Sequence, residues 1–451
     1  MHDVSRRQFL GKSTRSFFAM GLGSLAARRP ALARAASEKV QLAAIGIGGR
    51  CSTLLRGFSR RDDVHVRTFC DVYPERKRLV SAAKRLEESQ GRAPDVVKEY
   101  RRVLDDKDID AVIVATPDHW HAPLTIYSCQ AGKDVYVEKP PSHNIWEGRK
   151  MAEAAARYQR VVQVGTQNRS APYVLKALDL VQSGALGKVH LCKVFNLKSG
   201  GSYHLGPTGK KPASLDFDTW LGPAPERAYD ANVYNGGWHK LWDFSGGDLA
   251  DDGVHQLDIA RMLLGKSFPN EVHATGGNLA FQDDREVPDT QIVSYKWPDL
   301  IMTCELTQWP QYMEKTNHQT RTSDDFPSWM QNATRIELYG TEKMMVLGRH
   351  GGGWQIFTKK AGVDAQMYGR FPDASHQANF IDCIRTRKTP NAPAEEGHRS
   401  ATLVHLANIS YRLGGRKVTF DAETQTCVGD SEANRLVRRE YRKKFEVPEV
   451  V

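Results

Sequence analysis

The run V-Q-L-A-A-I-G-I-G-G-R at residues 40–50 constrains the fold more than any other stretch. An apolar strand that ends in a glycine turn and runs straight into a helix is the opening of a β-α unit, and units of this kind build a parallel sheet when they repeat. They do repeat. Residues 49–58 read as a helix, 64–70 as a second strand and 74–88 as a basic amphipathic helix. Segments 111–115, 135–137 and 161–164 continue the strands, with helices over 119–131 and 146–158. The alternation predicts a doubly wound parallel sheet with right-handed crossovers.

Beyond residue 187 the pattern changes. K-V-H-L-C-K-V-F-N, Q-I-V-S-Y-K-W, L-I-M-T-C-E-L and R-I-E-L-Y-G are strand-like and joined mostly by polar loops. They predict a second, α+β domain around a large, mainly antiparallel sheet, one face of which is free to cover a ligand edge or to build a homo-oligomer. The chain therefore divides into a leader (1–36), a parallel α/β domain (37–170) and a C-terminal domain (171–451) that finishes in an arm. The arm, R-L-V-R-R-E-Y-R-K-K-F, interleaves charge with Leu436, Val437, Tyr441 and Phe445. It is expected to pack on the body or on a neighbouring subunit with its charges in water.

The leader reads S-R-R-Q-F-L at residues 5–10, then a weak apolar run over 17–27 and small residues at 31–35. This is the pattern of a twin-arginine signal, and the apolar run is too short to span a bilayer. The expectation is periplasmic delivery, already folded, by the Tat export machinery. The leader's seven Lys/Arg and single Asp supply six of the ten formal positive charges, so the remainder gives no support to nucleic-acid binding. Seven cysteines without a C-x-x-C pair suggest neither a disulfide framework nor a soft-metal site.

The glycine turn carries a specific chemistry. Gly46 permits the tight turn and Gly48 lets a pyrophosphate approach the backbone, while Gly49 and Arg50 open a helix whose N-terminus faces that charge. Cys51 takes the third glycine position of G-x-G-x-x-G. Asp71, closing the next strand, is placed to accept hydrogen bonds from ribose hydroxyls and to repel a 2′-phosphate, which favours NAD. Arg76, Lys77 and Arg78 close by leave NADP possible. A structural alternative for Asp71 is a helix N-cap ahead of Pro74, and the two roles can coexist. The first domain is thus a Rossmann dinucleotide-binding domain. A cofactor carried out of the cytoplasm meets no nicotinamide pool, so it must regain its starting redox state within the protein's own cycle.

Two strand ends, A-T-P-D-H-W-H (115–121) and D-V-Y-V-E-K-P-P (134–141), together with S-G-G-D-L-A-D-D-G-V-H-Q-L-D-I-A-R, resemble the Gfo/Idh/MocA oxidoreductases. S-G-A-L-G-K-V, W-L-G-P-A-P and E-G-H-R-S-A-T extend the resemblance over nearly the whole chain beyond the leader. It implies cofactor contacts at Thr116, Pro117, His121 and Glu138, and places Lys139 between the nicotinamide and the reacting hydroxyl with Glu138 supporting it. It also matches a D-x-x-x-H pair to Asp251 and His255. Hydride leaves a carbinol carbon only as the hydroxyl proton is removed, so a base and a cation are both required. Lys139 suits the cation and His255 the base, with Asp251 orienting the hydroxyl. Spaced four apart at a helix start, the pair is expected on one face. Asp251 and Asp252 point to different faces, so no metal is expected.

For the substrate, Gln167 and Arg169 follow a strand at the ligand edge, and Trp238 and His239 are candidates for its wall. A polar aromatic loop over 309–329 is placed to close over a pocket. The expected function is an exported NAD(P)-dependent oxidoreductase with a retained cofactor, acting on a sugar, glycoside or polyol CH-OH group. One alternative is a redox-cycling glycoside hydrolase, in which transient oxidation permits elimination of the aglycone. The other is a non-catalytic sugar- or dinucleotide-binding protein that kept the fold.

Overall fold

A computed structural model describes residues 39–360 and 362–451. The leader lies outside the described residues. The first sheet comprises β1 (Val40–Ile45), β2 (Val64–Cys70), β3 (Asp95–Val97), β4 (Ala111–Val114), β5 (Asp134–Val137) and β6 (Val162–Val164). Its order is β3-β2-β1-β4-β5-β6, with every pair parallel. Central β4 and β5 are buried throughout, which is why they read as unbroken apolar runs. Register aligns Ile45 with Val114 and Val114 with Val137, so three strands end side by side. The strand order reverses between β1 and β4, and ligands bind at such a switch point. The sequence pattern gave no sign of β3, a three-residue edge strand with no buried residue.

The second sheet contains β7 (Val189–Asn196), β8 (Glu271–Gly277), β9 (Thr290–Trp297), β10 (Leu300–Thr307), β11 (Arg335–Gly340), β12 (Met344–Gly348), β13 (Trp354–Phe357), β14 (Val363–Met367), β15 (Val418–Asp421) and β16 (Thr426–Cys427). Its order is β14-β13-β12-β11-β7-β10-β9-β8-β15-β16. All its pairs are antiparallel except β7 with β10. Burial alternates along β9 and β10, the signature of a sheet with one face in the core. That face packs against helices Val254–Leu263 and Ala394–Arg412. The fold is the expected one, a Rossmann domain followed by a domain on a mostly antiparallel sheet.

The hydrophobic cores do not divide where the sequence does. Helix Asp373–Thr386 inserts Phe380 into the Rossmann core, with its ring edge-on to Tyr136 at 5.7 Å and to Phe58 at 6.3 Å. The C-terminal arm returns to the same domain. Phe445 packs edge-on against Trp120 at 5.5 Å, and Val447 and Val451 are buried beside it. The arm therefore packs on its own body, and not all its charge is in water. Arg439 pairs at 2.7 Å with Glu147, which is fully buried, and donates to the His119 carbonyl at 2.8 Å. Tyr441 donates to the same carboxylate at 2.8 Å. A buried carboxylate is tolerated only with partners of this kind, and the arm supplies them.

Candidate active site

The ends of β1, β2, β4 and β5 open into a cleft enclosing about 1350 Å³, part of it open to solvent. Its inner end is lined by Gly46, Gly48, Gly49, Arg50 and Asp71, its middle by Thr116, Pro117, Asp118 and His121, and its outer end by Glu138, Lys139, Trp238, His239 and Asp251.

The inner end fits a dinucleotide. Gly46 has φ +83°, and a Cβ there would lie 2.8 Å from the Thr116 methyl, so only glycine makes this turn. A Cβ on Gly48, which precedes helix Gly49–Phe58, would meet nothing within 4 Å. That open space at a helix N-terminus is where a pyrophosphate needs room. Asp71 accepts from the Ile47 N–H at 2.8 Å and the Tyr73 N–H at 2.9 Å, tying the glycine turn to the end of β2. The following helix starts at Lys77 with Arg76 at its N-cap, so the capping alternative for Asp71 does not hold. Burial pushes the Asp71 carboxyl up, while the two N–H donors hold it down. Arg76 and Arg78 flank the same end.

The middle is braced by two side chains. The His121 ring lies 2.7 Å from the Pro140 carbonyl and 2.9 Å from that of Thr116, bridging the segments that follow β4 and β5. Burial lowers its pKa, and a neutral ring has one N–H to donate between the two carbonyls. Arg50 reaches Glu138 at 2.7 Å and Asp373 at 3.1 Å. The Glu138 carboxylate occupies the space a Cβ on Gly165 would need, at 2.9 Å.

At the outer end Lys139 donates to Asp251 Oδ1 at 2.8 Å and also to the Asp251 carbonyl. Burial works against the ammonium, but Asp251, Asp118 and Glu138 outweigh it and raise the pKa, so Lys139 is a fixed cation. Burial likewise opposes the Asp251 anion, yet Lys139 and Lys198 hold its carboxyl well below the usual range. Lys198 lies 3.3 Å from Asp251 and 2.5 Å from Asp248. Asp252 turns away to Lys315 at 2.8 Å and Arg349 at 3.2 Å. Asp251 is thus a permanent acceptor, unsuited to take a proton.

Of the two imidazoles nearby, His239 lines the cleft and His255 does not. Asp251 lies in one π-helical turn, Leu249–Gly253, and His255 in the α-helix that follows. His255 is not among the residues that line the cleft beside Asp251. Its Nδ1 is buried without a hydrogen-bond partner, and burial with Arg349 and Lys139 nearby drives its pKa well below the ordinary value. His239 does line the cleft, and its Nδ1 contacts the Gly236 carbonyl. A carbonyl only accepts, so Nδ1 carries the proton and Nε2 the free lone pair. Trp238 stacks on the imidazole at 3.7 Å. Burial lowers the His239 pKa, keeping the ring neutral.

Two other expectations fail. Arg169 is buried in an ion pair with Asp258 at 2.9 Å and Glu396 at 3.1 Å, and Gln167 is buried beside it. Neither lines the cleft, and the Arg169 guanidinium is spent on Asp258 and Glu396 of the second domain. Conversely, Asp118 lines the cleft and was not singled out. It accepts from Ser245 Oγ at 2.5 Å, and burial pushes its carboxyl up to about 7 against the pull of Lys139 and that bond.

Fold and cleft define a class: a two-domain oxidoreductase built on a dinucleotide-binding Rossmann sheet. Within it, the chain belongs to the Gfo/Idh/MocA family. Residues 40–166 match the family's NAD-binding Rossmann domain, and residues 174–305 and 333–447 its C-terminal alpha/beta domain. A glycosyl hydrolase family 109 protein of Stenotrophomonas maltophilia is 31% identical over 250 residues, covering 53% of this chain and 50% of that protein. This chain spans about half the length of the family 109 relatives it matches. The NAD⁺-dependent scyllo-inositol 2-dehydrogenase of Bacillus subtilis is 25% identical over 359 residues, covering 76% of this chain and 87% of that one. Among solved structures, the WlbA dehydrogenase of Bordetella pertussis, in complex with NADH and UDP-GlcNAcA, superposes with a TM-score of 0.62. It is 18% identical, over 85% of this chain and 99% of that one.

Proposed function

We propose that the protein oxidises a CH-OH group of a sugar, glycoside or polyol, using a retained NAD. The observation that carries this reading is the convergence of Lys139, Asp251 and His239 at one end of the dinucleotide cleft. Bound nicotinamide would supply the acceptor for the carbinol hydride. Lys139 donates to the carbinol oxygen and stabilises its developing negative charge, Asp251 orients the hydroxyl, and His239 Nε2 takes the hydroxyl proton. The sugar-related names of the relatives support a carbohydrate substrate.

A second reading, a redox-cycling glycoside hydrolase, is favoured by the family 109 relatives. A ketone formed by the first oxidation acidifies the adjacent C–H, a base removes that proton, and the aglycone leaves with its C–O electron pair. Water then adds across the double bond and the ketone regains its hydride, so one water is consumed with no net redox change. The leader supports export by the Tat machinery with cofactor already loaded, and a closed cycle of this kind suits that destination. Exposed Ile292 and Ile301 on the open face of the second sheet support self-association.

The test is to incubate purified, cofactor-loaded protein with a panel of p-nitrophenyl glycosides, following reduced nicotinamide and released nitrophenol together. Net reduction supports the oxidoreductase reading, and nitrophenol release without net reduction supports the hydrolase. Both signals should vanish in Lys139→Ala while the cofactor stays bound. An inert wild-type protein that binds the glycosides would leave only a binding role.

A further inference from the structure

In the proposed reaction Lys139 turns to the carbinol oxygen, yet in the structure it donates to Asp251 Oδ1 at 2.8 Å. A carboxylate that loses its cation takes up a proton more readily, and a protonated Asp251 is a poor acceptor for the substrate hydroxyl. A second cation stands on its other side. Lys198, two residues beyond β7, donates to Asp251 Oδ2 at 3.3 Å, the oxygen opposite the one Lys139 bonds. Lys198 does not line the cleft, so whatever it does to the substrate passes through Asp251.

The Lys198 ammonium is fixed from behind. It lies 2.5 Å from Asp248 Oδ1 and 3.6 Å from Asp252 Oδ2. Asp248 Oδ2 accepts from Asn196 Nδ2 at 2.9 Å, and Asn196 Oδ1 accepts from Gln256 Nε2 at 3.2 Å. Asn196 ends β7, Gln256 belongs to helix Val254–Leu263, and both are fully buried. Lys198 is thus tied to a strand end and a helix of the second domain, whereas Lys139 comes from the first. Asp252 has Lys315 at 2.8 Å and Arg349 at 3.2 Å, which leaves the Lys198 charge to Asp248 and Asp251. Asp251 is also faced by Lys240, by the neutral His239 ring and by the carboxyls of Asp118 and Asp252. Lys240 is turned to Gln308 Oε1 at 3.1 Å. Burial opposes the Lys198 ammonium, but Asp248, Asp251 and Asp252 raise its pKa, so the charge persists.

We propose that Lys198 is a positioning residue that holds the Asp251 carboxylate in place and supplies its counter-charge, freeing Lys139 for the carbinol oxygen. The role rests on the oxidoreductase reading of the cleft. A lysine that merely neutralised Asp248 would leave Asp251 unchanged when removed, and there the two roles part.

The test uses the full, cofactor-loaded protein with Lys198→Met and Lys198→Arg. Infrared difference titration without substrate follows carboxyl protonation, and the Asp251 signal is the one that Asp251→Asn removes. Lys198→Met is expected to move that signal up by about one to three pH units, and Lys198→Arg to return it towards wild type. With a p-nitrophenyl glycoside that reduces the nicotinamide, the acid limb of hydride transfer should move up in step, because Asp251 then loses its charge at a higher pH. Cofactor retention should not change. Lys198→Met strands the buried Asp248 carboxylate, so the double variant Asp248→Asn/Lys198→Met, which removes both charges, is measured beside it. An Asp251 signal that stays in place in a folded variant overturns the proposal, as does an acid limb that stays while the signal moves, or loss of fold in both variants. A signal that moves while no glycoside reduces the nicotinamide upholds the hold on Asp251 and removes the oxidoreductase reading beneath it.

Discussion

The base role proposed for His239 depends on its hydrogen bond with the Gly236 carbonyl, which puts the proton on Nδ1 and leaves Nε2 free. His239→Ala is expected to slow hydride transfer by about 10² to 10⁴ with cofactor still bound, and His255→Ala to change it by no more than a few fold. Stopped-flow absorbance of the bound nicotinamide distinguishes the two, and the opposite ranking would return the role to His255. Asp118 makes a second prediction, about pH. Its carboxyl rises from 3.8 to about 7 on folding, so across that range the folded protein holds a proton the unfolded chain has lost. Its contribution to stability is therefore fullest below pH 3.8 and is lost as the pH climbs towards 7. Asp118→Asn keeps an acceptor for Ser245 and cannot ionise, so its melting temperature should gain on wild type between about pH 5 and pH 8. Parallel profiles would mean that Asp118 is ionised in the folded protein throughout. Lys139 and Asp251 were legible in the sequence because both sit in recognisable motifs. Lys198, Lys315 and Arg349 were not, because only tertiary folding brings them to the aspartates.

Among elements, those with a strong period were the easiest to read. The helix over 49–58 and the strand over 64–70 were expected at the observed limits, since alternating or continuous burial writes itself into residue type. The D-x-x-x-H spacing spans a π-helical turn at Leu249–Gly253, and of its pair only Asp251 lines the cleft. Arg169 misled, since proximity to the ligand edge in sequence says nothing about which way the chain turns. The arm was legible as an amphipathic element, but its docking site was not. Phe445 is 1% exposed and fills the space beside Trp120, so Phe445→Ala should cost about 3 to 5 kcal/mol by urea unfolding. A loss below about 1 kcal/mol would make the arm a peripheral attachment.

For the molecule as a whole, the leader and the cleft make a joint prediction. Replacing Arg6 and Arg7 with Lys is expected to hold the precursor in the cytoplasm, while the wild-type chain reaches the periplasm with nicotinamide bound; cell fractionation and cofactor assay of each compartment measure both. Periplasmic protein that lacks dinucleotide and stays inactive when NAD is added would break the link between export and loading. The two-domain plan was legible because the change from β-α alternation to bare strands is a change of period along the chain. The sharing of cores was not, since helix Asp373–Thr386 and the arm are distant in sequence from the strands they cover. That sharing sets an order of events during synthesis. The ring of Trp120 waits for Phe445, so a nascent chain stalled anywhere before that point carries its first domain with an uncovered wall. The first of the two domains to leave the ribosome is thus among the last to be completed, and under the proposed folded-state export the exporter would wait until residues 445–451 have docked.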